Sequence, residues 1–221
     1  MNRTDSSSTG SSASPFDAGE PGAAPERLRI RVHADRAVPD EAGEILASGL
    51  VAHVGFTDEE GRVVVIPMSY HYDALDPAHL HVHGGRHSRL QRHLAGGAPV
   101  CVTVTLVDGL VYSRGALYHS MNYRSVVCFA RAAAPRDLAA RRALLERMIA
   151  RYHPGRTPGR DYEGPTDAQL EATSMVSLAI EAWSAKARRG GATGPRDADP
   201  DAPGSAGVVP MTDVVARLGH A

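Results

Sequence analysis

The sequence predicts a mainly β fold, a small closed or partly closed barrel of about seven mostly antiparallel strands with helices on its outside. Three observations predict it. Strand-length runs of β-branched residues follow one another between short Gly-, Asp- and Pro-containing turns. Helical periodicity appears only in a few separated stretches, so helices do not alternate with strands as a parallel doubly wound sheet requires. Sequential hairpins of this kind satisfy their edges best by curling into a barrel.

The elements read in order as follows. Pro39-Asp40 followed by EAGEILASG reads as a short helix with Asp40 as N-cap. LVAHVGFT and RVVVIPMSYHYD, joined by the acidic turn DEEG, read as a hairpin. Pro67 interrupts the second run, which suits an edge or a bulge where backbone groups are free to bond a ligand. HLHVHG is a third strand, reached through ALDPA. HSRLQRHLAGG is a helix ending at Gly96-Gly97, and Ser88 and Gln91 have the spacing of a capping box. PVCVTVTLVDGLVYSRGAL reads as a second hairpin hinged on Asp108-Gly109. NYRSVVCFARAAA is a strand, and PRDLAARRALLERMIARY is an amphipathic helix with Leu138, Leu144, Leu145, Met148 and Ile149 on its apolar side. A Pro- and Gly-rich loop leads to the last strand, TSMVSLAIEAWSAKARR.

One domain, residues 27–189, carries all of this. Residues 1–26 are Ser-, Gly-, Ala- and Pro-rich and read as a disordered tail, and residues 190–221 as a second, mostly disordered one. With 24 basic and 25 acidic residues the net charge is −1, which gives no electrostatic footprint for nucleic acid or an anionic membrane. No apolar stretch is long enough to span a bilayer and the N-terminus lacks a signal-type apolar core, so a cytoplasmic setting is expected. Cys101 and Cys128 sit in apolar runs as small buried hydrophobes, with no zinc-type spacing. Lys186 is the only lysine among 24 basic residues, which singles it out for a specific role.

Four segments can carry chemistry. His79, His81 and His83 alternate along a strand and so share a face, a row able to hold a metal with help from His53 or His71; the plainer reading has Leu80 and Val82 packing the barrel and the histidines facing outward. In HGGRHSRLQRHL, a glycine pair, Arg86 and a helix opening at Ser88-Arg89 offer N–H groups, a hydroxyl and guanidinium forks to a phosphate. The same residues also serve as an ordinary loop and cap. Ser120, Asn122, Tyr123, Arg124 and Ser125 form a polar entrance to a buried strand, suited to line a planar anionic cofactor. VVVIPMSYHYD is the fourth, through its proline-interrupted backbone.

The order of these segments resembles the FMN-binding split-barrel superfamily, in its branch related to pyridoxamine 5′-phosphate oxidase, the flavin-nucleotide-binding proteins, which includes the nitroimidazole-resistance flavoproteins. The resemblance runs from about Val38 to Arg188 and rests on Pro67-Met68-Ser69-Tyr70-His71-Tyr72, His83-Gly84, Ser88-Arg89, Ser120-Met121-Asn122-Tyr123-Arg124-Ser125 and Lys186. It implies a homodimer with FMN at the interface. It also implies FMN phosphate on Ser88 and Arg89 with Arg86, and the flavin ring against Val65, Ile66, Pro67 and Met68. Tyr123, Arg124 and Ser125 would approach the flavin from either subunit. Lys186 would lie near the cofactor, with His71 as the candidate catalytic residue.

The oxidase proper carries a basic run after its Ser-Arg, whereas Leu90 follows here, and its Arg-rich C-terminal substrate end is not clearly present. The resemblance therefore implies an FMN-dependent oxidoreductase of a small molecule rather than the vitamin B6 enzyme. The alternatives are a non-catalytic flavin-binding protein, the same barrel with haem or deazaflavin, and a metal enzyme built on His79, His81 and His83.

Overall fold

The computed structural model describes residues 28–133 and 137–218. The strands are β1 (Val51–Thr57), β2 (Val63–Tyr72), β3 (His79–Gly85), β4 (Val100–Tyr112), β5 (Ser120–Ala132), β6 (Thr173–Arg188) and β7 (Gly207–Pro210). The helices are α1 (Ala42–Ser48), α2 (Arg89–Ala95), α3 (Leu138–Tyr152), α4 (Asp167–Ala172) and α5 (Met211–Leu218). The sheet order is β1-β2-β3-β6-β5-β4-β7, every pair is antiparallel, and a β1–β4 pairing closes the first six strands into a ring.

Strand alternation decides what lies inside the ring. Ala52, Val54 and Phe56 of β1, Val102 and Val104 of β4, and Val126, Cys128 and Ala130 of β5 point inward and are buried. Tyr70, Leu80 and Leu178 complete this core, and Ile45 and Leu46 of α1 and Leu90 and Leu94 of α2 pack into it from its ends. The ring is split between β2 and β3. Their ladder spans only Tyr70–Tyr72 against Leu80–Val82, after which β2 follows β1 and β3 follows β6. One edge of Val63–Ser69 is thus without a strand among the described residues. Pro67 sits on this segment opposite His53 without a bulge, so the edge placement of the proline is what the fold uses.

A second, smaller core holds α3 outside the ring, where Leu144 and Met148 meet Leu170 of α4 and Met175 of β6. Its end is pinned by polar bonds. The Arg151 guanidinium donates to Tyr70 O (3.1 Å), Ala47 O (3.0 Å) and Gly49 O, and the Tyr152 hydroxyl accepts from Tyr70 N–H at 3.0 Å. Backbone carbonyls left open at the end of α1 are satisfied by a side chain from a helix about 100 residues later in the chain.

Four expectations change. Asp108-Gly109 is no hairpin turn: β4 runs unbroken through it with a register shift against β5 between Val107 and Gly109. Asp108 projects its carboxylate to the Arg124 guanidinium (2.8 and 3.0 Å), and a Cβ on Gly109 would meet Val209 O at 2.7 Å. The residues suited to a tight turn here serve a bulge and a close strand approach. Asp40 does not cap α1, whose N-cap is Glu41 without a side-chain bond. The loop before the last strand contains α4, opened by a full capping box between Thr166 and Gln169.

The tail beyond residue 190 is the largest correction. The Asp197 carboxylate accepts from Ser113 Oγ (2.9 Å) and Arg114 N–H (2.7 Å), the Arg114 guanidinium reaches Ala202 O and Gly204 O, and β7 pairs with β4 from Gly109 to Tyr112. Backbone pairing and a capping carboxylate order a segment too polar to be ordered by burial. The stretch 1–26 lies outside the described residues.

Gly109→Ala is therefore expected to free the C-terminal arm while leaving the ring intact. Hydrogen exchange should show lost protection at 207–210 and retained protection at 100–106; equal loss in both would refute a local role for the glycine.

Candidate functional site

The ring leaves one broad outward face across β2, β1, β4, β5 and β6, set by the residues that alternate with the core. Neighbours in register run Pro67, His53, Thr103, Val127 and Ser184 across it. Much of it is apolar and exposed, with Val63 at 80 % and Val65 at 58 % relative exposure. A groove of about 520 Å³ crosses this face, lined by His53, Val63, Val65, Cys101, Thr103 and Phe129 and edged by the Arg131–Glu181 ion pair at 2.9 Å. Burial raises the pKa of the half-buried Cys101 and pushes that of Cys128, inside the core, up to about 12.

The expected ring contacts divide between two faces. Val65 and Pro67 are exposed on the outward side, while Ile66 and Met68 pack against the core. Only alternate side chains of this segment can touch one ligand, although the free backbone edge belongs to all four.

At the start of α2, the Ser88 hydroxyl accepts from Gln91 N–H at 3.3 Å, but the reciprocal half of the box is absent. Gln91 is buried and its carbonyl accepts from Ser174 Oγ at 2.6 Å, tying α2 to β6 instead. Arg86 is drawn to Glu171 O at the end of α4, and Arg89 is exposed. Of the expected phosphate trio, Arg89 is the side chain for which the structure gives no internal bond, and Ser88 already has a structural duty.

Ser125 and Lys186 do come together. They are paired in register between β5 and β6, on the outward face, and line a second groove of about 530 Å³. Arg124 points the other way. Its fork is bound by Asp108, with Glu44 of α1 3.8 Å away, at the lower end of the ring. Tyr123 lies beside it, opposite Val107 and Arg188, outside both grooves. The start of α2 and the Ser125–Lys186 pair sit at opposite ends of β6, since Gly85 is opposite Thr173 and Ser125 opposite Lys186. At about 3.3 Å per residue they are separated by roughly 40 Å of strand.

His71 is not in the groove. It is 6 % exposed beneath α3, with Arg147 and Arg151 near it and Asp73 Oδ2 4.0 Å from its Nε2. Neither ring nitrogen has a hydrogen-bond partner among the described residues. Burial and then the Arg151 charge hold its pKa below the ordinary value of 6.5. The histidine row continues this layer: His79 bonds Asp76 at 2.6 Å and His81, fully buried, bonds Ser177 Oγ at 3.0 Å. No group of three metal-ligating side chains converges among the described residues. Two members of the row thus bind the loop before β3 and the neighbouring strand β6. What sequence reasoning missed is the segment Leu28–Val32, which lines the second groove; its alternation of apolar and Arg residues in LRIRV was the available signal.

A ring of six antiparallel strands, split between β2 and β3, with helices packed outside it and an apolar groove on its outward face, defines a split-barrel protein. The chain belongs to the pyridoxamine 5′-phosphate oxidase family, whose model matches residues 39–187. It is similar to the FAD and haem binding protein from Mycobacterium smegmatis, at 32 % identity over 79 % of this chain and 82 % of that one, with a TM-score of 0.66. It is similar also to a flavocytochrome from Azotobacter vinelandii, at 29 % identity over 84 % of each chain, with a TM-score of 0.69. A candidate 5-nitroimidazole antibiotic resistance protein from Bacteroides thetaiotaomicron shares the fold, at 22 % identity over 66 % of this chain and 82 % of that one, with a TM-score of 0.55. A search of curated proteins gives no match. No helix among the described residues is long and apolar enough to cross a membrane.

The buried His71 gives a pH prediction. Its folded pKa lies below the unfolded value of 6.5, so below that value the unfolded chain binds more protons. The stability that goes with neutral His71 is fully present above pH 6.5 and is lost as pH falls through the folded pKa. Urea midpoints should therefore fall on acidification below pH 6.5, and His71→Gln should flatten that slope; an unchanged slope would refute it.

Proposed function

We propose that this chain is a flavin-binding oxidoreductase of a small molecule, working in the cytoplasm as a homodimer with FMN or a larger flavin on the outward face of the barrel. The observation that carries the reading is the groove of about 520 Å³ beside a backbone edge of β2 that no strand covers. The residues present fit a flavin. Val63, Val65 and Phe129 offer apolar walls to a planar ring, and His53, Thr103 and the free N–H and C=O groups of β2 can meet its polar edge. When bound, the flavin supplies the redox chemistry, and the chain supplies orientation and electrostatics. The similarity to an FAD and haem binding protein at 32 % identity supports this class of cofactor.

Two features support the dimer. The groove face exposes Val51, Val63, Val65 and Val107 together, an apolar surface of the kind two copies cover. The two polar clusters expected around one flavin, Arg89 with Ser88 and Ser125 with Lys186, lie at opposite ends of β6. One subunit cannot bring both to the same cofactor, whereas facing copies can. A non-catalytic flavin carrier uses the same site, and turnover with a nicotinamide donor separates the two.

A second reading is favoured by one residue. His53 places an imidazole in the apolar groove, where it would be able to hold the iron of a haem, the other group in the name of the Mycobacterium relative.

The purified protein is expected to show the visible absorption of an oxidised flavin and a dimeric mass by light scattering. A Soret band that His53→Ala abolishes would establish the haem reading, and a colourless monomer that takes up neither group would overturn both. Arg89→Ala is expected to weaken FMN by about tenfold, the loss of one charge-assisted bond. Ser88→Ala is the poorer probe, because it also removes the cap of α2, worth about 1 kcal/mol. Unchanged FMN affinity in Arg89→Ala would exclude phosphate at this helix start.

A further inference from the structure

We infer that residues 28–32 form a hinged cover over the ligand face of the barrel, latched by Lys186. The segment lies on the outer side of β5 and β6, beside Ser125, Val127 and Ser184. The residues that follow it are tied to the sheet by backbone: the Val38 N–H donates to Ala185 O at 3.1 Å and Ala37 bridges to Lys186. Residues 28–32 are held by side chains. The Lys186 ammonium donates to Val32 O at 2.9 Å, Leu28 is buried, and Arg29 and Arg31 are engaged as well. Between the two parts stands His33, the one non-glycine residue with positive φ among the described residues (φ 57°, ψ 55°).

The cover stands off the sheet. A groove of about 530 Å³ separates it from the side chains of β5 and β6. A segment that served only to shield those residues would pack onto them at the density of a protein interior. The groove beneath the cover also adjoins the apolar groove. Thr103 lines the apolar groove and Val127 the covered one, and the two are paired in register on neighbouring strands, about 4.8 Å apart. A ligand seated against His53 and Thr103 therefore lies at the rim of the cover.

The joint sits where such a movement needs it. Left-handed backbone disfavours any residue with a Cβ and persists only where its neighbours impose it. Here the latch holds Val32 on one side, and Arg36 N–H donates to His33 O at 3.0 Å on the other. Release of the latch lets His33 relax into ordinary backbone and swings residues 28–32 outward, while residues 34–38 keep their place on β6. Closed, the cover shields one side of the ligand from water. That the ligand is a flavin rests on the reading proposed above; the hinge and the latch do not.

The test is limited trypsin digestion of the full-length protein, with cleavage after the exposed Arg29 and Arg31 followed by mass, since that cleavage tracks the open population. Wild type is compared with Lys186→Met, His33→Val and His33→Gly, with circular dichroism verifying the fold of each. Lys186→Met and His33→Val should be cleaved at least threefold faster than wild type. His33→Gly, whose backbone accepts the left-handed conformation, should be cleaved more slowly than His33→Val. Saturating FMN should slow cleavage of the wild type at least threefold. FMN should also leave His33→Val at least threefold faster in stopped flow, although residue 33 lines neither groove. Variants cleaved at the wild-type rate, or a glycine variant as fast as the valine one, would remove the hinge and latch. FMN that binds without slowing cleavage would show that the segment does not close over it. Protection that follows protein concentration and not FMN would give the segment to a subunit contact and overturn the inference. If no flavin binds, the flavin reading falls, and the cover stands or falls on the cleavage rates of the variants alone.

Discussion

The ring closes through only four residue pairs, Ala52–Gly55 of β1 against Cys101–Val104 of β4, and the rest of the architecture follows from that short seam. With β1 held between β2 and β4, its parity is fixed: Ala52, Val54 and Phe56 must face inward and His53 and Gly55 outward. A slip of one residue would send the apolar set to the surface, so the core enforces the register. The same constraint lays His53, Thr103, Val127 and Ser184 in one row on the outer face. The groove is thus a by-product of closure, built from the residues that the core does not claim.

Long strands then reach beyond the ring. β5 spans 13 residues and β6 spans 16, more than closure needs, and their ends hold the polar clusters. α3 is fastened over the β2–β3 side by Arg151 and Tyr152, which leaves the opposite face uncovered by any helix of comparable length. The asymmetry gives the molecule one face dedicated to packing and one available to ligand or partner. His71 belongs to the first, and burial, with the Arg151 charge next, lowers its pKa.

Most of the barrel was legible in the sequence because alternation is a local property. β1, β2, β3 and β5 fall within a residue or two of the runs that suggested them, and α2 and α3 where their caps and periodicity indicated. What was illegible depended on distant partners. Asp108-Gly109 carries a strong turn signal, but Arg124 and the strand Gly207–Pro210 use it otherwise, and neither is visible within a short window. The stretch 190–207 has little apolar content, yet one carboxylate, Asp197, and a few backbone bonds order it. The candidate site was legible as a set of segments and not as a geometry. Parity divides Val65 from Ile66, Asp108 claims Arg124, and α3 claims His71. Ser125 and Lys186, read from separate segments, lie side by side because register pairs β5 with β6 there.

The basic residues themselves show why a single lysine matters here. Arginine is used wherever several acceptors must be reached at once: Arg151 spans carbonyls from α1 to β2, Arg114 holds two carbonyls of the arm, and Arg124 grips both oxygens of Asp108. Each of these duties suits a rigid planar fork. Lys186 has a different one. Its ammonium donates to Val32 O and sits as a compact charge between the segment Leu28–Val32 and β6, beside the hydroxyl-bearing Ser125 and Ser184. A single donated bond of this kind, from a long flexible stem, ties the N-terminal segment to the sheet where no fork of acceptors is on offer.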